Sequence, residues 1–267
     1  MHVMLERTAF DWKNLTLMKE GGTILEFKYP LPPKFFLKIA KEDLRERSDR
    51  GLVNALSNAK RAIDCQSDTF LSAIGLSPKD VQKQLGKTVI SSLEQFVTNT
   101  EQPLKFRVLE SLGIVTPAIV SRVRRIRNLL EHQYKKPSAP AVRDAIDVSS
   151  LYVSACEGAM NTFLESVHFE VDEPSISAHK EKFYERNMSV ELDWKRPQIA
   201  VNYWNQMRRE RAHTTLKPKD DSYLAWLRVL FALRAEDEME KAIAMAASLS
   251  GYPLEAKNIK IKAIELG

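Results

Sequence analysis

Apolar residues recur at Leu52, Leu56, Ala59, Ile63, Phe70 and Ile74, at spacings of three, four and seven. That period runs, with interruptions, from Asp49 to about Val167, and it marks amphipathic helices that bury one side. A helix is expected from Lys34 toward Arg47, and Gly75 and Pro78 punctuate the end of the one after it. Val81 to Phe96 predicts a further helix and Leu104 to Leu112 a shorter one. Pro117 fits the first turn of another, which runs to about Lys136 and is stopped by Pro137 and Pro140. A last helix follows from Ala141 to about Ser166. Antiparallel helices joined by short loops predict an all-α bundle over residues 34–166.

The ends of the chain read differently. Gly22 to Tyr29 alternates apolar and polar residues, as a half-buried strand does. This N-terminal extended segment, residues 1–33, is expected to pair with a C-terminal sheet. Met188–Trp194 and Gln198–Trp204 alternate too, and Lys195-Arg196-Pro197 between them predicts a hairpin. Helical periodicity from Tyr223 toward Leu249 and alternation over Ile259–Ile264 complete an α+β region over residues 167–267. The expected fold class is therefore mainly α, a helical bundle with a smaller α+β C-terminal region.

Composition narrows the class of function. The chain has 267 residues and two cysteines, Cys65 and Cys156, too few for a disulfide framework and in no metal-ligand spacing. No run approaches the roughly 18 apolar residues of a membrane span, and Glu6, Asp11 and Lys13 interrupt any N-terminal apolar run. A soluble, cytoplasmic protein without a membrane partner is expected. The net charge of +5 is modest, but its placement is uneven. From Pro117 to Arg143 the cations are Arg122, Arg124, Arg125, Arg127, Lys135, Lys136 and Arg143, against one carboxylate, Glu131. Such an excess attracts polyanions, RNA among them.

On a helix turning roughly 100° per residue, with Arg124 at zero, Lys135 falls near 20°, Asn128 near 40° and His132 near 80°. Glu131 falls near 340°, Arg127 near 300° and Tyr134 near 280°. Val123, Ile126, Leu129 and Leu130 take the opposite arc. Arg127 and His132 thus flank a polar face that suits RNA cleavage. With the 2′-hydroxyl as nucleophile, no metal is needed. A histidine can move protons near neutral pH, and an arginine can hold the charge on the phosphorane. One histidine does not readily serve both the attacking and the leaving oxygen, so a two-fold dimer would complete the set. Spacing alone proves little, since Arg208 and His213 repeat it.

The segment Arg127-Asn128-Leu129-Leu130-Glu131-His132-Gln133-Tyr134 resembles the signature of the HEPN domain, an arginine, four to six intervening residues and a histidine, often with asparagine after the arginine. The stretches Leu56–Gln66 before it and Asp144–Tyr152 after it are similar to that family as well, so the resemblance covers about residues 50–166. It implies an up-and-down helical bundle that dimerises, and a metal-independent endoribonuclease in a toxin–antitoxin or phage-defence setting. Arg127 and His132 would be the catalytic pair, with Asn128, Glu131 and Tyr134 in support. Arg122, Arg124, Arg125, Lys135 and Lys136 would bind RNA, and no cofactor is implied. In some such toxins a partner nucleotidyltransferase modifies the tyrosine at the position of Tyr134, so an antitoxin or nucleotidyltransferase partner is an expectation too. The other reading is a non-catalytic module that binds RNA, a nucleotide or a partner protein. A third is an oligomerisation domain whose activity resides elsewhere.

Overall fold

The computed structural model describes residues 12–13, 15–20, 29–114, 121–122, 128, 135–161, 165–171, 187–193, 195–205, 210–232 and 238–266. Among them lie six strands in one mixed sheet, ordered β5-β4-β3-β2-β1-β6. The strands are β1 (Leu15–Glu20), β2 (Ser166–Val171), β3 (Met188–Asp193), β4 (Gln198–Asn205), β5 (Glu210–Leu216) and β6 (Ile261–Leu266). Neighbours from β1 to β5 are antiparallel, while β6 runs parallel to β1. The helices are α1 (Pro33–Arg45), α2 (Asp49–Ala73), α3 (Val81–Gln84), α4 (Lys87–Glu94), α5 (Leu104–Ser111), α6 (Ala139–Asn161), α7 (Tyr223–Ala232) and α8 (Met239–Leu249).

The mainly-α expectation is overturned, because this sheet is part of the main core and the fold is mixed α/β. β1 and β2 are hydrogen-bonded neighbours, with Leu15 opposite Val171, although the helical region lies between them in sequence. The helices are thus an insertion between two adjacent strands. The largest buried cluster draws on both sides of residue 166, from Leu17, Phe70 and Leu109 to Phe169, Val201 and Trp226.

Three strands account for the difference. β1 lies at Leu15–Glu20, ahead of the alternating stretch, of which residues 22–28 lie outside the described residues. β2 begins at the residue where the last helix was expected to end. In β5 the one buried residue is Leu216, so that strand offers no apolar alternation to read. The hairpin expected around Lys195-Arg196-Pro197 is β3–β4, with Val190 opposite Val201. The single helix expected over Val81–Phe96 is two, α3 and α4, parted at Leu85 and Gly86.

All ten residues of α7 are buried, as befits a helix that is apolar all round. It lies between the sheet and α2. Its Trp226 meets Phe169 of β2 edge-on at 6.1 Å, and Phe231 meets Phe70 of α2 at 5.5 Å. The Tyr223 hydroxyl donates to the Ile74 carbonyl at 2.9 Å. α2 then turns at Gly75, whose φ of +79° favours glycine. A Cβ there would come within 2.5 Å of Pro197 Cβ in the β3–β4 turn.

Beside this core, which takes in the later turns of α2 and α6, those two helices and α1 form a three-helix layer. Ala40 of α1 clusters with Leu52, Leu56 and Ala59 of α2 and Val142 and Ile146 of α6. Leu37 clusters with Ala62 and Val153. α6 therefore runs parallel to α2 and α1 antiparallel to both. The C-terminal end of α1 meets the N-terminal ends of α2 and α6.

Candidate functional site

Arg124, Arg125, Arg127, Glu131, His132 and Tyr134 lie outside the described residues. The residues around them define where the motif attaches. Ser121, Arg122 and Asn128 are helical and exposed. The Arg122 guanidinium donates through Nε to Asp144 Oδ2 of α6 at 2.8 Å. At the other end Lys136 pairs with Asp49, the first residue of α2, and Lys135 beside it is exposed. Both ends of the motif segment are thus tied to the end of the layer where α2 and α6 begin.

That end carries electrostatic weight of its own. The Ser48 hydroxyl caps α2 by accepting from the Gly51 amide at 2.9 Å. Near the start of α6, the Ser138 hydroxyl accepts from the Ala141 amide at 3.3 Å. The two helix starts present the positive ends of their dipoles beside the cations Arg122, Lys135 and Lys136, which favours anions there. Asp49 and Asp144 offset part of this, so Arg122 and Lys136 are partnered cations and Lys135 is a freer one.

Only the histidine of the duplicate pair, Arg208 and His213, is among the described residues, and it stands exposed on β5. Its Nδ1 is 2.7 Å from Asn202 Oδ1 and its Nε2 3.1 Å from Thr215 Oγ1. The Asn202 oxygen can accept only from Nδ1–H, while the Thr215 hydroxyl can serve Nε2 as donor or acceptor. Asn202 in turn donates to Ser189 at 3.0 Å and Glu191 at 3.1 Å. This polar row crosses β3, β4 and β5 and has the form of a cross-strand hydrogen-bond ladder.

Two further clusters were not singled out from the sequence. One surrounds Asp64, which takes Lys60 at 2.6 Å and Lys105 at 2.9 Å. Burial pushes its carboxyl up, but the two ammoniums prevail and hold it below the usual range. Burial raises neighbouring Asp68 and, with the two carboxylates, raises the Cys65 thiol, which lowers its thiolate fraction. These side chains flank an apolar depression of about 450 Å³ under Tyr29, Leu31 and Phe36.

The other is a groove of about 540 Å³ between α1 and α6. Lys34, Lys38, Lys41 and Arg45, with one carboxylate, Glu42, form one wall, Ser150 and Ser154 the other, and Leu37 and Val153 lie along it. Lysine and arginine at four-three-four spacing were visible in the sequence. What was not visible is that Leu37 and Ala40 anchor α1 against its neighbours and leave those cations along an open groove.

Among the described residues no group of three histidine, cysteine or acidic side chains is arranged to hold a metal ion, and no helix is long and apolar enough to cross a membrane. No family model matches the chain, and comparison with curated proteins and with solved structures gives no match.

Proposed function

We propose that the protein is a metal-independent endoribonuclease of the HEPN type, with Arg127 and His132 as its catalytic pair. The observation that carries this reading is the sequence Arg127-Asn128-Leu129-Leu130-Glu131-His132-Gln133-Tyr134, with apolar residues on one helical arc and a dense polar set on the other. Three features of the structure support it. Asn128 is helical and exposed, as a residue on the polar face must be. The motif is tied down on both sides, by Arg122 to Asp144 and by Lys136 to Asp49. Two helix starts add positive potential beside Arg122 and Lys136, the residues that bound the motif.

In this reading the 2′-oxygen of the substrate attacks the adjacent phosphorus. Its proton passes to a base, and the 5′-oxygen of the next nucleotide leaves with a proton from an acid. The products are a 2′,3′-cyclic phosphate and a free 5′-hydroxyl. His132 moves protons, and Arg127 holds the non-bridging oxygens as charge builds on them. A homodimer supplies a second histidine, so that one serves the attacking and one the leaving oxygen. A toxin–antitoxin or phage-defence role, with Tyr134 open to modification by a nucleotidyltransferase, belongs to the same proposal.

The test is incubation with mixed RNA in a chelator, beside Arg127→Ala and His132→Ala. Cleavage is expected from the parent and a loss of about 10²–10⁴-fold from His132→Ala. Cleavage unchanged by that substitution sinks the assignment. RNA bound but cut by neither form points to a non-catalytic binding module.

A further inference from the structure

We propose that the groove between α1 and α6 is a track for the phosphodiester backbone of RNA, with Lys38, Lys41 and Arg45 as its phosphate contacts. The proposal rests on the ribonuclease reading for the identity of the polyanion. It adds a surface, remote in sequence from the motif, that delivers the strand.

The first argument is alignment. With Lys34 at zero, Lys38 falls near 40°, Lys41 near 340° and Arg45 near 20°, so four cations share an arc of about 60°. Successive cations rise by about 4.5–6 Å along the helix axis, a step comparable to the phosphate repeat of a nucleic-acid strand. The ridge covers roughly 16 Å in all.

The second argument is charge left over. Lys34 is held by Glu157 at 2.8 Å, and Lys38 lies 4.0 Å from Glu42 with its side chain 75 % exposed. Lys41 and Arg45 are exposed, and among the described residues neither has a carboxylate within salt-bridge distance. Unpaired cations on one stripe are suited to a ligand that brings a row of negative charges and releases counterions on binding.

The third argument is shape and direction. Ser154 supplies a hydroxyl on the opposite wall, where Ser150 donates its own to the Ile146 carbonyl at 2.8 Å, and hydroxyls commonly join cations in phosphate contacts. A flat anionic bilayer would need apolar side chains projecting among the cations, whereas Leu37 and Val153 inside the groove are only 7 % and 1 % exposed, and the exposed Phe35 of α1 and Leu151 of α6 do not line it. The ridge also leads somewhere. Arg45 ends α1 four residues before Asp49, the residue that holds Lys136 at the C-terminal side of the motif. A strand along the groove therefore heads toward Lys136, four residues after His132 in sequence.

The experiment is fluorescence anisotropy with a labelled single-stranded RNA of about 20 nucleotides, over a salt series, in the full chain carrying His132→Ala. The test variant adds Lys38→Gln, Lys41→Gln and Arg45→Gln. Lys83→Gln with Lys87→Gln, on α3 and α4, is the control for bulk charge. The ridge variant is expected to bind roughly tenfold more weakly, with its log–log salt slope shallower by about 2. The control is expected to move neither. If the triple variant misfolds by circular dichroism, Lys41→Gln alone is read, with an expected slope change of about 0.7.

Unchanged affinity and slope overturn the proposal. So does an equal loss in the control, no RNA binding by any form, or ridge-dependent binding to phosphatidylserine vesicles in place of RNA. Cleavage retained by His132→Ala bears on the ribonuclease reading alone, because anisotropy registers the track whether or not the motif cuts.

Discussion

Arg228 and Arg45 carry the same guanidinium in opposite settings. Arg228 lies on α7 with its side chain 2 % exposed, pairs with Glu238 and lies 4.7 Å from the centre of the Phe96 ring. Its cost is visible in its acidity, since burial lowers it from the ordinary arginine range to about 10. Arg45 stands at the end of α1 in water, with no carboxylate partner among the described residues. A buried cation must be satisfied by the fold itself, so it fixes packing. An exposed, unpartnered one contributes little to folding and is available to a ligand. The same distinction separates the α7 core from the basic ridge and the motif end of the helical layer.

The largest effect expected is at the buried member. Arg228→Ala removes the ion pair and the contact with Phe96, and leaves a cavity beneath α7. Glu238 is 43 % exposed and stays hydrated when its partner is removed, so a loss of about 2–4 kcal/mol in urea-monitored stability is expected. A loss below about 1 kcal/mol would show that Arg228 is tolerated by the core and not part of what organises it. Gly113→Ala strikes the same guanidinium from the other side. Gly113 has φ +74°, and a Cβ there would lie 2.5 Å from Arg228 Nη1. Backbone strain together with displacement of a confined side chain should cost about 2 kcal/mol or more, read as a fall in the urea midpoint. Arg45→Ala in the same assay should be nearly silent, and equal losses at the two arginines would erase the contrast.

A third effect is pH-dependent and again belongs to the buried side. Burial pushes the Cys156 thiol from about 9 up to about 12. The thiol therefore stays protonated in the folded chain at a pH where the unfolded chain has already released its proton. Its contribution to stability is complete below pH 9 and is lost as pH rises through about 12. At pH 10.5 the loss is about 2 kcal/mol. Buried Tyr152, which shares a 2.6 Å hydrogen bond with Ser67, and Tyr223 are raised in the same direction and steepen the decline. Cys156→Ala should flatten the fall in urea midpoint between pH 8 and 10.5, and an unchanged slope would place the alkaline sensitivity elsewhere.

Much of this contrast could be read in the sequence, and the reasons for the misses are physical. The helical layer was legible because Leu52, Leu56, Ala59 and Ile63 bury one side of a long helix and so leave a period. α7 was legible as a helix, and its near-total apolarity, broken by Arg228, already marks an element buried all round. The sheet was undercounted because β5 buries Leu216 alone and takes its place through backbone hydrogen bonds to β4, which leave no side-chain signature. The adjacency of β1 and β2, with the whole helical region between them, is a long-range pairing that no local pattern encodes. The motif was found from residue types alone. The ridge on α1 was passed over because four cations at helical spacing become a groove wall only once α6 is known to lie beside them.

The smallest expected effect is on the stability of the ridge, and it carries the most weight for the comparison. Lys38, Lys41 and Arg45 are exposed, and the closest charge partner of the three, Glu42, is 4.0 Å from Lys38. Converting all three to glutamine removes a long ion pair worth at most a few tenths of a kcal/mol. It also removes the favourable placement of Arg45 in the last turn of α1, which is similar in size at a screened surface. Glutamine has nearly the helix propensity of lysine and arginine, so the backbone preference is conserved. The net change in urea-monitored stability should stay within about 0.5 kcal/mol. A loss above about 1 kcal/mol would mean that the ridge cations are held by the fold after all, as Arg228 is, and that their exposure is not what frees them for a ligand.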